Sequence, residues 1–314
     1  MDQAMVAQVR RFNRIVTQRV GALNDRFLAR DRSLGEARLL WEIGAEGRDV
    51  RTLRTQLELD SGYVSRLLRA LEAAGLVTVR PKESDRRVRI ARLTAAGSAE
   101  RTVLDRRSDE LAASLLAPLG ARQRVRLVAA MADVERLLTA SMVEVAIVDP
   151  SHPHARYCVQ QYFSELARRF DAGFDPALSI SAGDDELRRP FGLFLVASLR
   201  ADPIGCGALK FHGNEPAELK RMWVGESARG LGIGRRLLNE LEHRAAENGA
   251  GTVRLETNKS LTEAIALYRS AGYTEVAPFN DEPYAHHWFE KTLRPSRRSH
   301  ESDSHEPVAV DRQR

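Results

Sequence analysis

Apolar residues recur at helical spacing along most of the first 142 positions. Val6, Val9, Phe12, Ile15, Val16, Val20, Leu23 and Phe27 predict one amphipathic helix over 1–28. Leu34, Ala37, Leu40 and Trp41 predict a second over 34–46, and 50–57 reads as a short third. From Ser61, taken as an N-cap, Val64, Leu67, Leu68 and Leu71 fall at i, i+3, i+4 and i+7. That spacing fixes the buried stripe of a fourth helix, with Gly75 as its C′ residue. The period then drops to two. Residues 76–80 and 88–92 alternate like two strands joined by the basic loop 81–87, and 95–116 and 122–142 return to helical spacing, broken at Pro118 and Gly120.

Beyond this point the pattern changes. Val148-Asp149-Pro150-Ser151-His152-Pro153-His154 breaks the periodicity with two prolines, which predicts a linker over 144–155 between a first domain, 1–143, and a second, 156–294. His152 and His154 lack further clustered ligands, so loop polarity and no metal is expected. The second domain offers a helix over 158–170, antiparallel strands over 191–199 and 204–211, and a strand at 219–224. A helix carrying Leu237, Leu238, Leu241 and Ala245 follows, then a strand at 253–258 and a helix and turn over 261–272. Between them, 172–190 is long and irregular. Its Asp175, Asp184, Asp185 and Glu186 either attract an amine or form a solvated loop. Residues 295–314 are polar, without apolar period, and predict a disordered tail.

Composition narrows the class. The 314 residues are 43% apolar and 29% charged, as in globular domains. With no signal-like segment, no long apolar run and only Cys158 and Cys206 far apart in sequence, a cytoplasmic protein without structural zinc or a membrane span is expected. The net charge of +5 is uneven, about +8 over residues 1–142 and about −3 over the rest. A basic first half points to a polyanionic partner, although solvated basic surfaces are common.

Arg229-Gly230-Leu231-Gly232-Ile233-Gly234-Arg235 lies between a strand and a helix start. Such a turn leaves backbone N–H groups aimed one way, into the positive end of the helix dipole, and forms a cradle for a pyrophosphate. Many glycine turns only end strands, and the alternation of Gly230, Gly232 and Gly234 does not fit the dinucleotide fingerprint G-x-G-x-x-G. It does fit Arg/Gln-x-x-Gly-x-Gly/Ala, through Arg229, Gly232 and Gly234, and so resembles the GNAT superfamily of N-acetyltransferases. Glu218 to Val224 resembles that family's fourth strand, Val253 to Asn258 its fifth, and Leu261 to Gly272 the helix that follows.

The resemblance implies an α/β acyl-CoA N-acyltransferase fold and acetyl-CoA as co-substrate, held by Met222, Trp223, Val224, the loop Arg229–Arg235, Asn258 and Tyr268. The acceptor is an amine, of a small molecule or a protein lysine. Acyl transfer to an ammonium needs a base, and the departing thiolate benefits from an acid. Glu218, at the start of the fourth strand, is the candidate base, an exposed strand-end carboxylate being the alternative. Tyr268 is the candidate acid, plain core packing being the alternative.

In the first half, the outward face of the fourth helix carries Ser61, Gly62, Tyr63, Ser65, Arg66 and Arg69, groups suited to a major groove. The loop offers Lys82, Asp85, Arg86 and Arg87, where Asp85 can steady a guanidinium bound for a minor groove. Val64-Ser65-Arg66, Leu71-Glu72, Gly75-Leu76-Val77, Asp85-Arg86-Arg87 and Leu93-Thr94-x-x-Gly97 resemble the winged helix-turn-helix of the MarR regulators. That resemblance implies a mainly α domain binding double-stranded DNA at a near-palindromic operator, as a homodimer built from the flanking helices. Packing those helices within one chain is the alternative. Three functions fit the pair of resemblances: a regulator that also acetylates, a regulator whose second half senses acetyl-CoA without turnover, and an enzyme that the first half merely dimerises.

Overall fold

The computed structural model describes residues 2–293 except 24–26, 181 and 214, so the expected tail lies outside the described residues. The chain divides into two units, Met1–Glu135 and Arg136–Arg314. In the first, α1 (Gln3–Arg19), α2 (Leu34–Ile43), β1 (Arg48–Asp49), α3 (Val50–Leu57) and α4 (Ser61–Ala73) precede a hairpin of β2 (Val77–Lys82) and β3 (Asp85–Leu93). Helices α5 (Ala95–Leu116) and α6 (Ala121–Ser141) follow, α6 running past the division. The small sheet is antiparallel, in the order β1-β3-β2.

The stripe read in α4 is the buried one: Val64, Leu67, Leu68 and Leu71 close on Leu39, Leu40 and Ile43 of α2, Leu53 of α3 and Leu104 of α5. The N-cap is Asp60 rather than Ser61, its carboxylate accepting from the Tyr63 amide at 2.8 Å. An ionised oxygen suits the positive end of the helix better than a hydroxyl does, and Ser61 becomes the first helical residue. The single helix expected over 1–28 stops at Arg19. Gly21 turns left-handed at φ 68°, and beyond the undescribed residues Phe27 buries edge-to-face against Trp41, with centroids 6.4 Å apart. Arg30 and Arg32 there converge on buried Glu100 at 2.9 and 3.3 Å. Neither α1 nor α6 buries any residue, and Val9 (58%), Ile15 (62%), Val125 (70%) and Leu137 (65%) stay exposed.

The second unit holds β4 (Val143–Val148), α7 (Pro153–Arg169), β5 (Gly192–Leu199), β6 (Asp202–Lys210), β7 (Ala217–Val224), α8 (Ile233–Glu247), β8 (Thr252–Thr257), α9 (Thr262–Ser270), β9 (Thr274–Val276) and β10 (His287–Thr292). They form a seven-stranded sheet in the order β4-β5-β6-β7-β8-β10-β9, antiparallel except for β7 beside β8. Leu237, Leu238 and Leu241 of α8 pack on one face with Leu195, Leu209, Leu255 and Phe289. Ala155 and Cys158 of α7 cover the other with Phe194, Val196 and Cys206. The two cysteines, distant in sequence, are thus neighbours in this core, both thiols free.

The expected linker over 144–155 is not one. Val143 to Val148 pairs in register with β5, from Val143 opposite Leu199 to Val148 opposite Phe194. The β-branched run Val-Glu-Val-Ala-Ile-Val determines that stretch, and both prolines lie after it. Pro153 opens α7 at its first position, where a missing N–H costs nothing, and His152 caps the helix by accepting from the His154 amide at 3.1 Å.

Thr94 and Gly97 show why the Leu-Thr-x-x-Gly pattern is needed. Thr94 caps α5 by accepting from the Gly97 amide at 3.0 Å and donates its hydroxyl to the Gly75 carbonyl at 2.7 Å. A Cβ on Gly97 would lie 2.0 Å from the Leu76 carbonyl oxygen. Gly97→Ala therefore forces the helix off the strand and should cost about 2 kcal/mol, read as a lower urea midpoint for the first unit. An unchanged midpoint would show that this contact is slack.

Candidate active site

Strands β7 and β8 pair only at Ala217 with Val253 and Glu218 with Arg254, and then part. On its other side β7 bulges against β6: between the pairs Cys206–Trp223 and Ala208–Lys220, Arg221 and Met222 both stand opposite Gly207. Arg221 takes a left-handed φ of 54° there. A larger cleft and a smaller cavity open beside the parted strands, here named donor cleft and acceptor cavity for the roles the family resemblance implies, with Tyr162, Leu166 and Leu261 lining both.

The donor cleft, about 500 Å³, is lined by Met222, Trp223 and Val224 from β7, by Arg229, Gly230, Gly232, Ile233, Gly234 and Arg235 from the loop, and by Leu267 and Tyr268 of α9. Gly230 and Gly232 hold φ at 80° and 76°, conformations that strain other residues. Helix α8 begins at Ile233, so the Ile233, Gly234 and Arg235 amides have no acceptor within the helix and converge at its positive end. Leu231 packs against the core instead of lining the cleft.

Arg229 is held from behind. Its guanidinium donates to both carboxylate oxygens of Glu165 on α7, at 2.5 and 2.7 Å, and to the Val224 carbonyl at 3.2 Å. Glu165 also accepts from the Trp223 indole at 3.0 Å and from Arg169 at 3.2 Å. One buried carboxylate therefore ties α7, β7 and the loop together, and nothing in its helical surroundings marks it in the sequence.

Tyr268 is 4% exposed, its ring 5.8 Å from Tyr273 and 6.2 Å from Phe289, yet it lines the donor cleft. Core packing and a place in the site hold together. Burial first, and then the Glu256 charge, push its phenol well above the ordinary range, so it keeps its proton.

Besides Leu231, two expected site residues are placed differently. Glu218 lines neither cleft. Its carboxylate is buried among Arg254 at 2.8 Å, Lys220 at 3.3 Å and His212 at 3.5 Å. Burial alone would raise its pKa, but Lys220, Arg254 and His212 outweigh it and hold the group below its ordinary value, a poor setting for a base. Asn258 lines the acceptor cavity and not the donor cleft. Its amide is spent on backbone, donating to the Tyr284 carbonyl at 2.7 Å and accepting from the Ser260 amide at 2.9 Å.

The carboxylate that does face the acceptor cavity is Glu256 of β8. One oxygen accepts from Lys220 at 2.5 Å, and the other is buried with no hydrogen-bond partner among the described residues. Glu282 faces it too, saturated by Ser179, Ile180 and Tyr284. From the irregular stretch, Phe174, Ser179, Ile180 and Ala182 line this cavity. Asp175, Asp184 and Asp185 stay exposed, and Glu186 pairs with Lys210 at 2.6 Å.

In the first unit, Ser61, Ser65, Arg66 and Arg69 stand exposed on α4, and Tyr63 is half-buried with the Arg66 guanidinium 5.5 Å from its ring centre. The hairpin closes at Lys82 opposite Asp85, leaving Arg86 and Arg87 exposed. Asp85 accepts from the Arg87 guanidinium at 3.2 Å and from its amide at 3.0 Å, and these bonds hold its carboxyl below the ordinary value.

Residues 159–273 match the acetyltransferase (GNAT) family and residues 31–88 match the MarR family. An IAA acetyltransferase of Azospirillum brasilense is 40% identical over 99 residues, 31% of this chain and 63% of that protein. An uncharacterised N-acetyltransferase of Schizosaccharomyces pombe is 30% identical over 130 residues, 38% of this chain and 80% of that protein. The crystal structure of an acyl-CoA N-acyltransferase from Klebsiella pneumoniae aligns at a TM-score of 0.39 and 24% identity over 49% of this chain and 99% of that one.

The depressed pKa of Glu218 gives a signed expectation. Its contribution to stability is present above about pH 4.5, the ordinary glutamate value, and is lost as pH falls through the lower folded value. Glu218→Gln leaves Lys220 and Arg254 short of a carboxylate and should cost about 3 kcal/mol at neutral pH, with a flatter acid limb in pH-dependent denaturation. Its acetyl-transfer rate should stay within about threefold of wild type. A loss of a hundredfold or more, the lower range for removal of a general base, would return Glu218 to the chemistry.

Proposed function

The chain belongs to the GNAT acetyltransferase family and carries a MarR-family domain ahead of it, and we propose that it is a DNA-binding transcriptional regulator that transfers acetyl from acetyl-CoA to an amine. The observation that carries the enzymatic part is the donor cleft. Free amides at the start of α8 and the unpaired side of β7 meet there beside a protonated tyrosine.

The amides of Ile233, Gly234 and Arg235 receive the pyrophosphate. The half of β7's N–H groups that point away from β6 have lost β8 as a partner, so those near Trp223 and Val224 are available to the thioester oxygen as charge develops on it. The unpartnered oxygen of Glu256 takes the proton that the acceptor ammonium must release before its nitrogen can attack the acetyl carbon. As the carbon–sulfur bond breaks, Tyr268 gives its proton to the departing sulfur and recovers one from solvent, to which the new amide nitrogen sheds its second proton. The products are an N-acetylated acceptor, free CoA and one proton. A protein that only senses acetyl-CoA needs the cradle but neither Glu256 nor Tyr268 at the cleft.

The regulatory part rests on α4 and the hairpin. Ser61, Tyr63, Ser65, Arg66 and Arg69 enter a major groove, and Lys82, Arg86 and Arg87 follow the backbone or the adjacent minor groove, Asp85 steadying Arg87. The bare apolar faces of α1 and α6 pair two copies about a two-fold axis, which sets two α4 helices on the halves of a near-palindromic operator.

Gly232→Glu sets a carboxylate against the pyrophosphate and should abolish acetyl-CoA binding in calorimetry; retained binding would move the cradle elsewhere. Glu256→Gln and Tyr268→Phe should each lower kcat by about a hundredfold with acetyl-CoA affinity unchanged, and a wild-type rate in either removes that residue from the proton transfers. Arg66→Ala with Arg87→Ala should weaken operator binding at least tenfold at physiological salt in gel-shift titration, and equal affinity would remove the DNA face.

A further inference from the structure

Four charged side chains line the acceptor cavity: Lys220, Arg221, Glu256 and Glu282. Two have no unmet need. Lys220 lies between Glu218 and Glu256, and Glu282 accepts from two amides and a hydroxyl. The other two are incomplete. Arg221 donates one hydrogen bond, to the Ala182 carbonyl at 2.6 Å, and rests over Phe163 at 5.7 Å; among the described residues no carboxylate lies within ion-pair distance of it. Glu256 keeps one buried oxygen unpartnered although its side chain is only 10% exposed. In a regular strand, Lys220 and Arg221 would point to opposite faces. The bulge at Arg221 turns both into the same hollow.

A half-buried guanidinium with no ion-paired carboxylate, only the more distant charge of Asp184, and a buried carboxylate oxygen without a donor are both costly to leave unmet. One zwitterion meets both needs. Part of the wall is aromatic: Phe170, Phe174 and Tyr284 form a ring cluster with centroid spacings of 4.9 to 5.8 Å, beside aliphatic and polar side chains such as Leu166, Ile180 and Thr257.

We propose that the acceptor is a free aromatic α-amino acid, its carboxylate on Arg221, its ring against Phe170, Phe174 and Tyr284, and its amine beside Glu256. This rests on the reading of the site as an acetyltransferase and names its substrate class. The transfer proceeds with the α-nitrogen as nucleophile, its first proton passing to Glu256 and the Tyr268 proton to the departing sulfur. A protein lysine or a peptide N-terminus brings no α-carboxylate to Arg221 and leaves that charge unanswered.

The test uses the full chain, saturating acetyl-CoA and thiol release. L-Phenylalanine, L-tyrosine and L-tryptophan should give the highest kcat/KM. L-Phenylalaninamide, which lacks only the carboxylate charge, should fall at least about thirtyfold, and L-alanine, which lacks the ring, at least about tenfold. Arg221→Gln should erase the preference for acid over amide while binding acetyl-CoA with wild-type affinity, which also reports that the variant is folded. The comparison of acid with amide needs no variant, so a misfolded Arg221→Gln leaves the test intact. Equal rates for acid and amide, or a lysine peptide or aliphatic amine turned over faster than every aromatic acid, overturn the proposal and leave the transferase standing. Acetyl-CoA binding with no turnover on any of these amines overturns it as well. Failure to bind acetyl-CoA at all removes the reading of the site and this proposal with it.

Discussion

The second unit depends on the parting of β7 from β8. Two neighbouring parallel strands that stayed paired would satisfy every amide along their length and leave nothing for a ligand. Here the pairing stops after two residues on each strand, and the bulge at Arg221 turns β7 as it leaves. A non-glycine residue at φ 54° costs on the order of 1–2 kcal/mol. That cost is offset locally by the Arg221 guanidinium on the Ala182 carbonyl and the Cys206 thiol on the Arg221 carbonyl. Gly207 opposite the bulge leaves room for Met222 and for Leu241 of α8, whose atoms a Cβ there would meet at 2.7 Å.

Charge takes over where backbone pairing ends. Arg254 reaches Glu218 at the last paired position, and Lys220 spans from β7 to Glu256 on β8 just beyond it. Buried ion pairs of this kind add little over apolar packing, but losing one partner is expensive, so they fix a geometry more than they stabilise it. Glu165 does the same from α7 by gripping Arg229 and the Trp223 indole together. The polar residues of the site thus fall into two groups: those that hold the strands apart at a set spacing, and those that face the hollow.

Much of this was legible in the sequence, where the information is local. The α4 stripe, the glycine loop, the basic hairpin tip and the place of Tyr268 follow from spacing within a few turns or from a family resemblance over a short stretch. The misplacements share one cause. Glu218, Asn258 and Glu256 lie on or beside neighbouring strands, and only pairing and register decide which carboxylate meets a cation and which meets the cavity. Glu165 and Arg221 acquire their roles from partners tens of residues away, and no spacing rule reaches that far. The reading of 144–155 had a remedy within the sequence. A fourth strand at 218–224 requires three before it, the pattern supplied two, and Val143 to Val148 is the β-branched run that completes the count.

That first strand also governs how the chain tolerates being cut. A fragment beginning after the prolines would look like a tidy second domain, yet it would lack β4 and bare the whole hydrogen-bonding flank of β5 from Phe194 to Leu199. Phe194 to Ala197 are buried in the intact sheet, so the exposed row would be both apolar and unpaired, a template for intermolecular strand addition. Separating the halves without inviting aggregation means cutting ahead of Val143, where α6 passes into the strand through Met142 alone.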